Sequence, residues 1–244
     1  MQICQFSLAI KDWKIICDKI LSAEDWEKGV AYWQENQEKF ENFSPKLAFL
    51  PALKRRRLSP SARLFFEAAW DLVAVQPDIP VVYASVNGEM DRNFALWHSL
   101  LKEGDVSPTS FSLSVHNALI GQWSELRQVK SETTALMSNG DNLEVALLEA
   151  YLLLNEGAER VLVVITESPL DKQYNAEPVY RSPFSYALAL VVEKGEEFTL
   201  TLKAEGDAHF SQDSALEWVR QQYLQATNFQ FKNANGNVWQ WQKN

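Results

Sequence analysis

Residues 143–154 are apolar on almost every side of a helix: Val145, Ala146, Leu147, Leu148, Ala150, Tyr151, Leu152, Leu153 and Leu154 leave no polar stripe. A helix hydrophobic all round belongs inside a fold, and this one is well short of the roughly 20 residues that span a bilayer. Gly157 ends it, and Val161-Leu162-Val163-Val164-Ile165 follows as a strand with no polar face. Strands buried on both faces are those of parallel or mixed central sheets covered by helices. A helix needing cover on all sides beside a strand needing cover on both implies a layered α/β domain.

The rest of the chain agrees. Residues 3–10 read as a strand. Residues 24–40 read as a helix with Trp26, Val30 and Trp33 at helical spacing. Ser59-Pro60 has the form of an N-cap followed by proline, opening a helix whose Leu64, Phe65, Ala68, Ala69, Leu72 and Val73 share a face. Residues 80–85 predict a buried strand closed by a turn at Asn87-Gly88, and 91–102 an amphipathic helix. A further helix is predicted from near Leu113, placing Val115, Leu119 and Trp123 on one face. Residues 184–192 and 198–204 predict two strands joined by a turn at Gly195, and 211–224 a closing helix. No linker or repeat divides the chain, so residues 1–244 are expected to form a single domain.

Charge and composition exclude several classes. The chain carries 23 Lys+Arg against 32 Asp+Glu, a net −9, whereas a nucleic-acid partner calls for a basic face. Two cysteines, Cys4 and Cys17, make no disulfide framework, and no signal peptide is visible near Met1, so a cytoplasmic location is expected. Asp12, Asp18, Glu24 and Asp25 lack His or Cys neighbours at ligand spacing, so no metal is expected. Nine Trp residues are more than a core of this size needs, and the clustered Trp239 and Trp241 are candidates for a surface that meets something else.

Ser107-Pro108, Ser114-Val115-His116-Asn117-Ala118 and Gly121-Gln122-Trp123 are similar, without a gap, to the segment that leads to the active-site Cys of β-ketoacyl synthases. The whole chain more closely resembles a short subgroup of that superfamily, the β-ketoacyl synthase-like chain length factors. Leu53 to Ser59, Val82-Tyr83-Ala84-Ser85, Gly88-Glu89, Gly140-Asp141-Asn142, Leu147-Leu148-Glu149-Ala150 and Val161-Leu162-Val163-Val164 carry that likeness. It is good over residues 53–169 and weak elsewhere. The resemblance implies a thiolase-like layered α-β-α fold, truncated to roughly the N-terminal half of a ketosynthase, with buried helices between sheet layers. It also implies a dimer interface around Asn117 to Trp123.

One departure bears on the chemistry. The nucleophile position of the family falls on Gly140, give or take a residue, and no Cys is near it. Claisen condensation needs a thiolate to hold the acyl chain as a thioester, and the family's two catalytic His belong to a half not matched here. His98, His116 and His209 stand in no matching context. The resemblance therefore implies a non-catalytic subunit, needing no cofactor, that pairs with a full-length ketosynthase and shapes the acyl tunnel. The short members are associated with bacterial type II systems making aryl polyenes. Phe111, Val115, His116, Asn117, Leu119 and Trp123 are the candidate interface and tunnel residues, with Trp123 or Phe111 as the tunnel floor. Lys54, Arg55, Arg56 and Arg57 are either a transient contact for an acidic acyl carrier protein or a solvated cluster. Two other classes stay open: an acyltransferase or thioesterase-like enzyme using a Ser of the elbow region, and a carrier-protein-binding module. A Ser/His/Asp set built on His116, Ser138 and Asp141 lacks the G-x-S-x-G elbow, and a structural His116 is the plainer reading.

Overall fold

A computed structural model of the chain describes residues 1–171, 173 and 181–244. Among these residues lies one seven-stranded mixed sheet. Its inner strands are β2 (Val81–Ala84) and β4 (Arg160–Glu167), parallel to each other, with β3 (Thr133–Leu136) parallel to β2 at the edge. On the other side β4 pairs antiparallel with β5 (Tyr186–Lys203). The N-terminal strand β1 (Gln2–Cys17) runs antiparallel along the whole of β5. The far half of β5 also pairs with β7 (Val238–Lys243), which forms a hairpin with β6 (Asn228–Lys232).

Alternation along the inner strands builds two cores. Val82, Val163 and Ile165 face α8 (Asn142–Glu156) and α9 (Ser214–Tyr223), whose Leu143, Leu147, Leu216 and Trp218 complete that side together with Trp26 and Trp33. Trp26 belongs to α1 (Ala23–Lys28) and Trp33 to α2 (Val30–Asn36). Val81, Tyr83, Leu162 and Val164 face α4 (Pro60–Ala69) and α7 (Ala118–Arg127), with Phe65, Phe66 and Trp123 at the centre. This is the layered α-β-α arrangement the sequence implies. The Ser59 side chain caps α4 as expected, accepting from the Ala62 amide at 3.2 Å.

Several elements differ from expectation. The helix over 24–40 is broken at Gly29, whose positive φ of 88° separates α1 from α2 and lets the Arg220 side chain lie against it. The strand over 3–10 continues to Cys17, because a register shift between Ile10 and Asp12 absorbs the polar Lys11-Asp12 and restores pairing beyond it. Gly195 makes no turn; β5 runs through it, and a Cβ there would lie 2.8 Å from that of Ala9 on β1. The closing helix starts at Ser214, and β3, β6 and β7 appear where no strand was expected.

Helix α8 is not buried all round. Leu152 is 50% exposed, Leu148 is half-buried, and no second sheet lies over them among the described residues. Its first turns are covered instead by the β6–β7 hairpin. Trp239 and Trp241 are therefore core residues, 1% and 0% exposed, and not the surface aromatics expected from their clustering. No helix among the described residues is long and apolar enough to cross a membrane.

Candidate functional site

The elbow between β3 and α8 lies at the carboxyl ends of the parallel strands, the place where open α/β sheets bind their ligands. Gly140 sits there with a φ of 94°, a left-handed conformation that glycine adopts without strain. It is buried beneath the loop preceding α9: the Ser214 amide donates to its carbonyl at 3.2 Å, and a Cβ would lie 3.4 Å from the Ser211 carbonyl oxygen. Behind it is a cavity of only about 10 Å³, lined by Val86, Asn142, Glu167, Tyr186, Gln212, Asp213 and Ser214. That is room for about one water molecule and not for an acyl chain.

Carboxylates fill the surrounding space. Asp141 accepts from the Ser138 hydroxyl, from Asn233 Nδ2 at 2.7 Å and from Trp239 Nε1 at 3.0 Å. Glu167, at the end of β4, accepts from the Val86 amide, the Asn87 amide at 3.2 Å and Asn142 Nδ2 at 3.2 Å, tying the loop after β2 to the start of α8. Burial pushes the Glu167 carboxyl up to about 8; the Val86 and Asn87 amides pull against this and the nearby Asp213 adds to it. The Tyr186 hydroxyl donates to Asp213 at 2.8 Å, while Asp213 caps α9 through the Leu216 amide at 3.0 Å. Glu144, wholly buried in the first turn of α8, accepts from Trp241 Nε1 at 2.8 Å.

Sequence reasoning pointed to Gly140, give or take a residue, and missed this network. The available signals were a glutamate, Glu144, inside an otherwise apolar helix, and the Trp-Gln-Trp alternation at 239–241, which is strand spacing.

The candidate interface residues separate into two groups. Helix α7 starts at Ala118, since Ser107-Pro108 opens a short helix of its own, α6 (Pro108–Ser112), and the chain turns again before Ala118. Val115 thus precedes α7 and does not share a face with Leu119 and Trp123. Trp123 is wholly buried against Phe65 (5.2 Å between ring centres), Phe66 (5.3 Å) and Trp70 (6.0 Å), and Leu119 is 1% exposed beside it. Both are core residues of this chain and form no part of its surface. Phe111, 65% exposed, and Val115, 51% exposed, remain on the surface with Asn117. They adjoin α5 (Met90–Glu103), which buries no residue fully and exposes Met90, Trp97, Leu100 and Leu101.

His116 Nε2 lies 2.9 Å from the Ser85 carbonyl oxygen; a carbonyl only accepts, so that nitrogen carries the proton. The ring stands 5.5 Å from that of Tyr83 and presses on Gly88, where a Cβ would come within 2.9 Å of it. It shapes the loop after β2. Ser138 donates to Asp141, whose other oxygen is taken by Trp239 and Asn233, so no Ser/His/Asp relay forms. The basic run starts on the short helix α3 (Ala52–Arg55), where Lys54 pairs with Glu125 and the Arg55 guanidinium donates to the Lys46 carbonyl at 3.0 Å. Arg56 and Arg57 are exposed and join no ion pair among the described residues. No group of His, Cys, Asp and Glu among the described residues is arranged to hold a metal ion.

A β-ketoacyl synthase N-terminal-domain model matches residues 26–242. The chain belongs to the β-ketoacyl synthase family. No curated protein sequence matches it. Among solved structures, it is similar to a chain of the ketosynthase ApeO in complex with its chain length factor ApeC from Xenorhabdus doucetiae. The identity is 23% over 98% of this chain and 100% of that one, with a TM-score of 0.78. The ishigamide ketosynthase/chain length factor gives 11% identity over 97% and 98%, with a TM-score of 0.61. A β-ketoacyl synthase from Burkholderia phymatum STM815 gives 13% over 93% and 71%, with a TM-score of 0.52. The fold of this family member is thus the thiolase-like fold of the ketosynthase N-terminal half, with glycine at the elbow.

Proposed function

We propose that this chain is a non-catalytic chain length factor, the partner of a full-length ketosynthase in a bacterial type II system of the aryl polyene type. The observation that carries the reading is the elbow: Gly140 stands there, and the space behind it is a cavity of about 10 Å³ among carboxylates. A condensing subunit needs a thiolate and a pocket for the chain it holds. This site offers neither, so the chain acts through its partner. The acyltransferase reading is disfavoured by the same geometry, since Ser138 donates to a carboxylate and has no imidazole base. The decisive experiment incubates the isolated chain, a ketosynthase, and the two together with acyl-carrier thioesters. Extended products are expected only when the ketosynthase is present, with no acylation or hydrolysis by this chain alone. Acylation of the isolated chain would overturn the assignment.

The pairing surface in this proposal comprises Phe111, Val115 and Asn117, with Met90, Trp97, Leu100 and Leu101 of α5 beside them. Obligate interfaces commonly bury above about 2,000 Å² and are apolar. Replacing Phe111 and Val115 with Asp together should abolish co-purification with the ketosynthase while leaving the urea midpoint of the isolated chain unchanged, because both are exposed. Phe111→Ala is the milder change, expected to lengthen products in an intact complex if Phe111 closes the partner's tunnel. The exposed Arg56 and Arg57 would steer an acidic carrier protein, an effect that salt should abolish.

Sulfur chemistry is tested separately. Cys17 is buried, its thiol pushed well up first by burial and then by Asp18, and Cys4 lies on the same strand, β1. The pair carrying Cys4→Ser and Cys17→Ala should keep its condensing activity within about twofold, a change of less than ~0.5 kcal/mol. Lost activity in an intact complex would mean that one of the thiols takes part.

A further inference from the structure

Glu144 combines complete burial with sparse partnering. Its Oε1 accepts from the Trp241 indole, the Ser214 side chain is the other neutral group that favours its charged form, and its Oε2 has no hydrogen-bond partner among the described residues. No Lys, Arg or His of the described residues pairs with it. A buried charge so placed is strongly disfavoured, so the closed fold holds the neutral acid. The titratable groups on the surrounding elements do not alter this. Asp141 at the head of α8 raises its proton affinity, and Glu167 on β4 and Asp213 with Glu217 at the start of α9 are also acids. Tyr186 on β5 is spent on Asp213, Cys4 and Cys17 lie on β1, and Lys243 at the end of β7 pairs with Glu197.

The donor to Glu144 lies on the β6–β7 hairpin, which touches α8 at two further points through Asp141: Trp239 Nε1 at 3.0 Å and Asn233 Nδ2 at 2.7 Å. We propose that Glu144 is a proton-controlled latch, whose neutral form holds the C-terminal hairpin on the first turn of α8 and whose ionisation in water favours the released hairpin. Opening gives one proton to solvent: the closed state carries the acid, the open state the carboxylate. Burial first, and Asp141 less strongly, push Glu144 in the closed fold from 4.5 up to about 8, against the Ser214 and Trp241 side chains. Between those values the closed state binds one proton more than the open state. The opening constant therefore rises about tenfold per pH unit across that window and levels off above it. Glu167, also raised, lies on β4, which pairs with β2 and β5 and not with the hairpin, so it stays in place when only β6 and β7 leave β5.

Hydrogen exchange of the full chain at pH 5.5 and 7.5, corrected for the intrinsic rate, tests this. The β6 and β7 amides should open about a hundredfold more at the higher pH. Glu144→Gln keeps the acceptor for Trp241 and has no proton to lose, so its hairpin should show no pH dependence. Equal slopes in wild type and E144Q, or a flat wild type, would overturn the latch. A second reading needs no variant: the carboxyl ¹³C signal coupled to the Trp241 indole should titrate near 8, and a midpoint near 4.5 would overturn it.

Discussion

Trp123→Ala is expected to unfold the chain under conditions that leave the wild type intact, and to lengthen no product. Trp123 is the central ring of the α4–α7 core, in edge contact with Phe65 and Trp70 and wholly out of solvent. The Arg127 guanidinium sits 4.2 Å over the Trp70 ring beside it. Truncating a buried Trp costs about 3–5 kcal/mol through lost contacts and the remaining cavity. Set against a total stability of about 5–15 kcal/mol, that is a large share. The indole Nε1 has no partner among the described residues, so Trp123→Phe gives up ring volume without breaking a hydrogen bond and should cost much less. Urea midpoints of the two variants make the comparison. A Trp123→Ala chain with the wild-type midpoint and longer products in the complex would return this residue to the tunnel.

Trp241→Ala should be at least as damaging, and for two reasons. Its ring stacks on Phe229 at 5.7 Å and meets Phe198 edge-on at 5.9 Å, so its loss costs about 3–5 kcal/mol as a cavity. It also removes the donor to Glu144, and leaving a buried carboxyl without its partner costs about 1–3 kcal/mol more. The two parts can be separated. Trp241→Phe keeps most of the ring and loses the bond; adding Glu144→Leu then replaces both polar partners with apolar groups and should recover part of the loss. Denaturant midpoints of the single and double variants read this directly. If Trp241→Phe and its double variant are equally unstable, the hydrogen bond contributes nothing.

The parts of this fold legible in the sequence were those in which one residue type repeats over a whole element. Val161 to Ile165 has no polar position, so its burial on both faces could be read outright, and the Ser59-Pro60 start of α4 is a local signal complete within four residues. The missed parts rest on contacts the local pattern does not contain. The outer half of β1 is interrupted by a bulge at Lys11, which breaks the alternation that would have declared it. Gly195 carries a turn residue's identity and a close-approach residue's role, and only the position of Ala9 distinguishes them. At the elbow, the resemblance to ketosynthases pointed to Gly140, but Asp141 and Trp239 are 98 positions apart and Glu144 and Trp241 are 97, beyond any local pattern. The shared face assumed for Val115, Leu119 and Trp123 failed because the helix begins three residues after Val115.

The long ribbon of β1 on β5 has a consequence for how the chain acquires its shape during synthesis. Ser7 and Thr199, hydrogen-bonded at 3.0 Å, are 192 positions apart, so β1 must wait for a strand made much later. Contacts at such separation slow folding, since the entropy of closing the loop is lost before the contact forms. Until β5 leaves the ribosome, Phe6, Leu8 and Ile10 have no neighbouring strand, and the apolar strand β4 lacks one of its two partners. The nascent chain thus exposes unpaired edges until β5 is made, and its yield should depend on chaperone supply more steeply than its final stability would suggest.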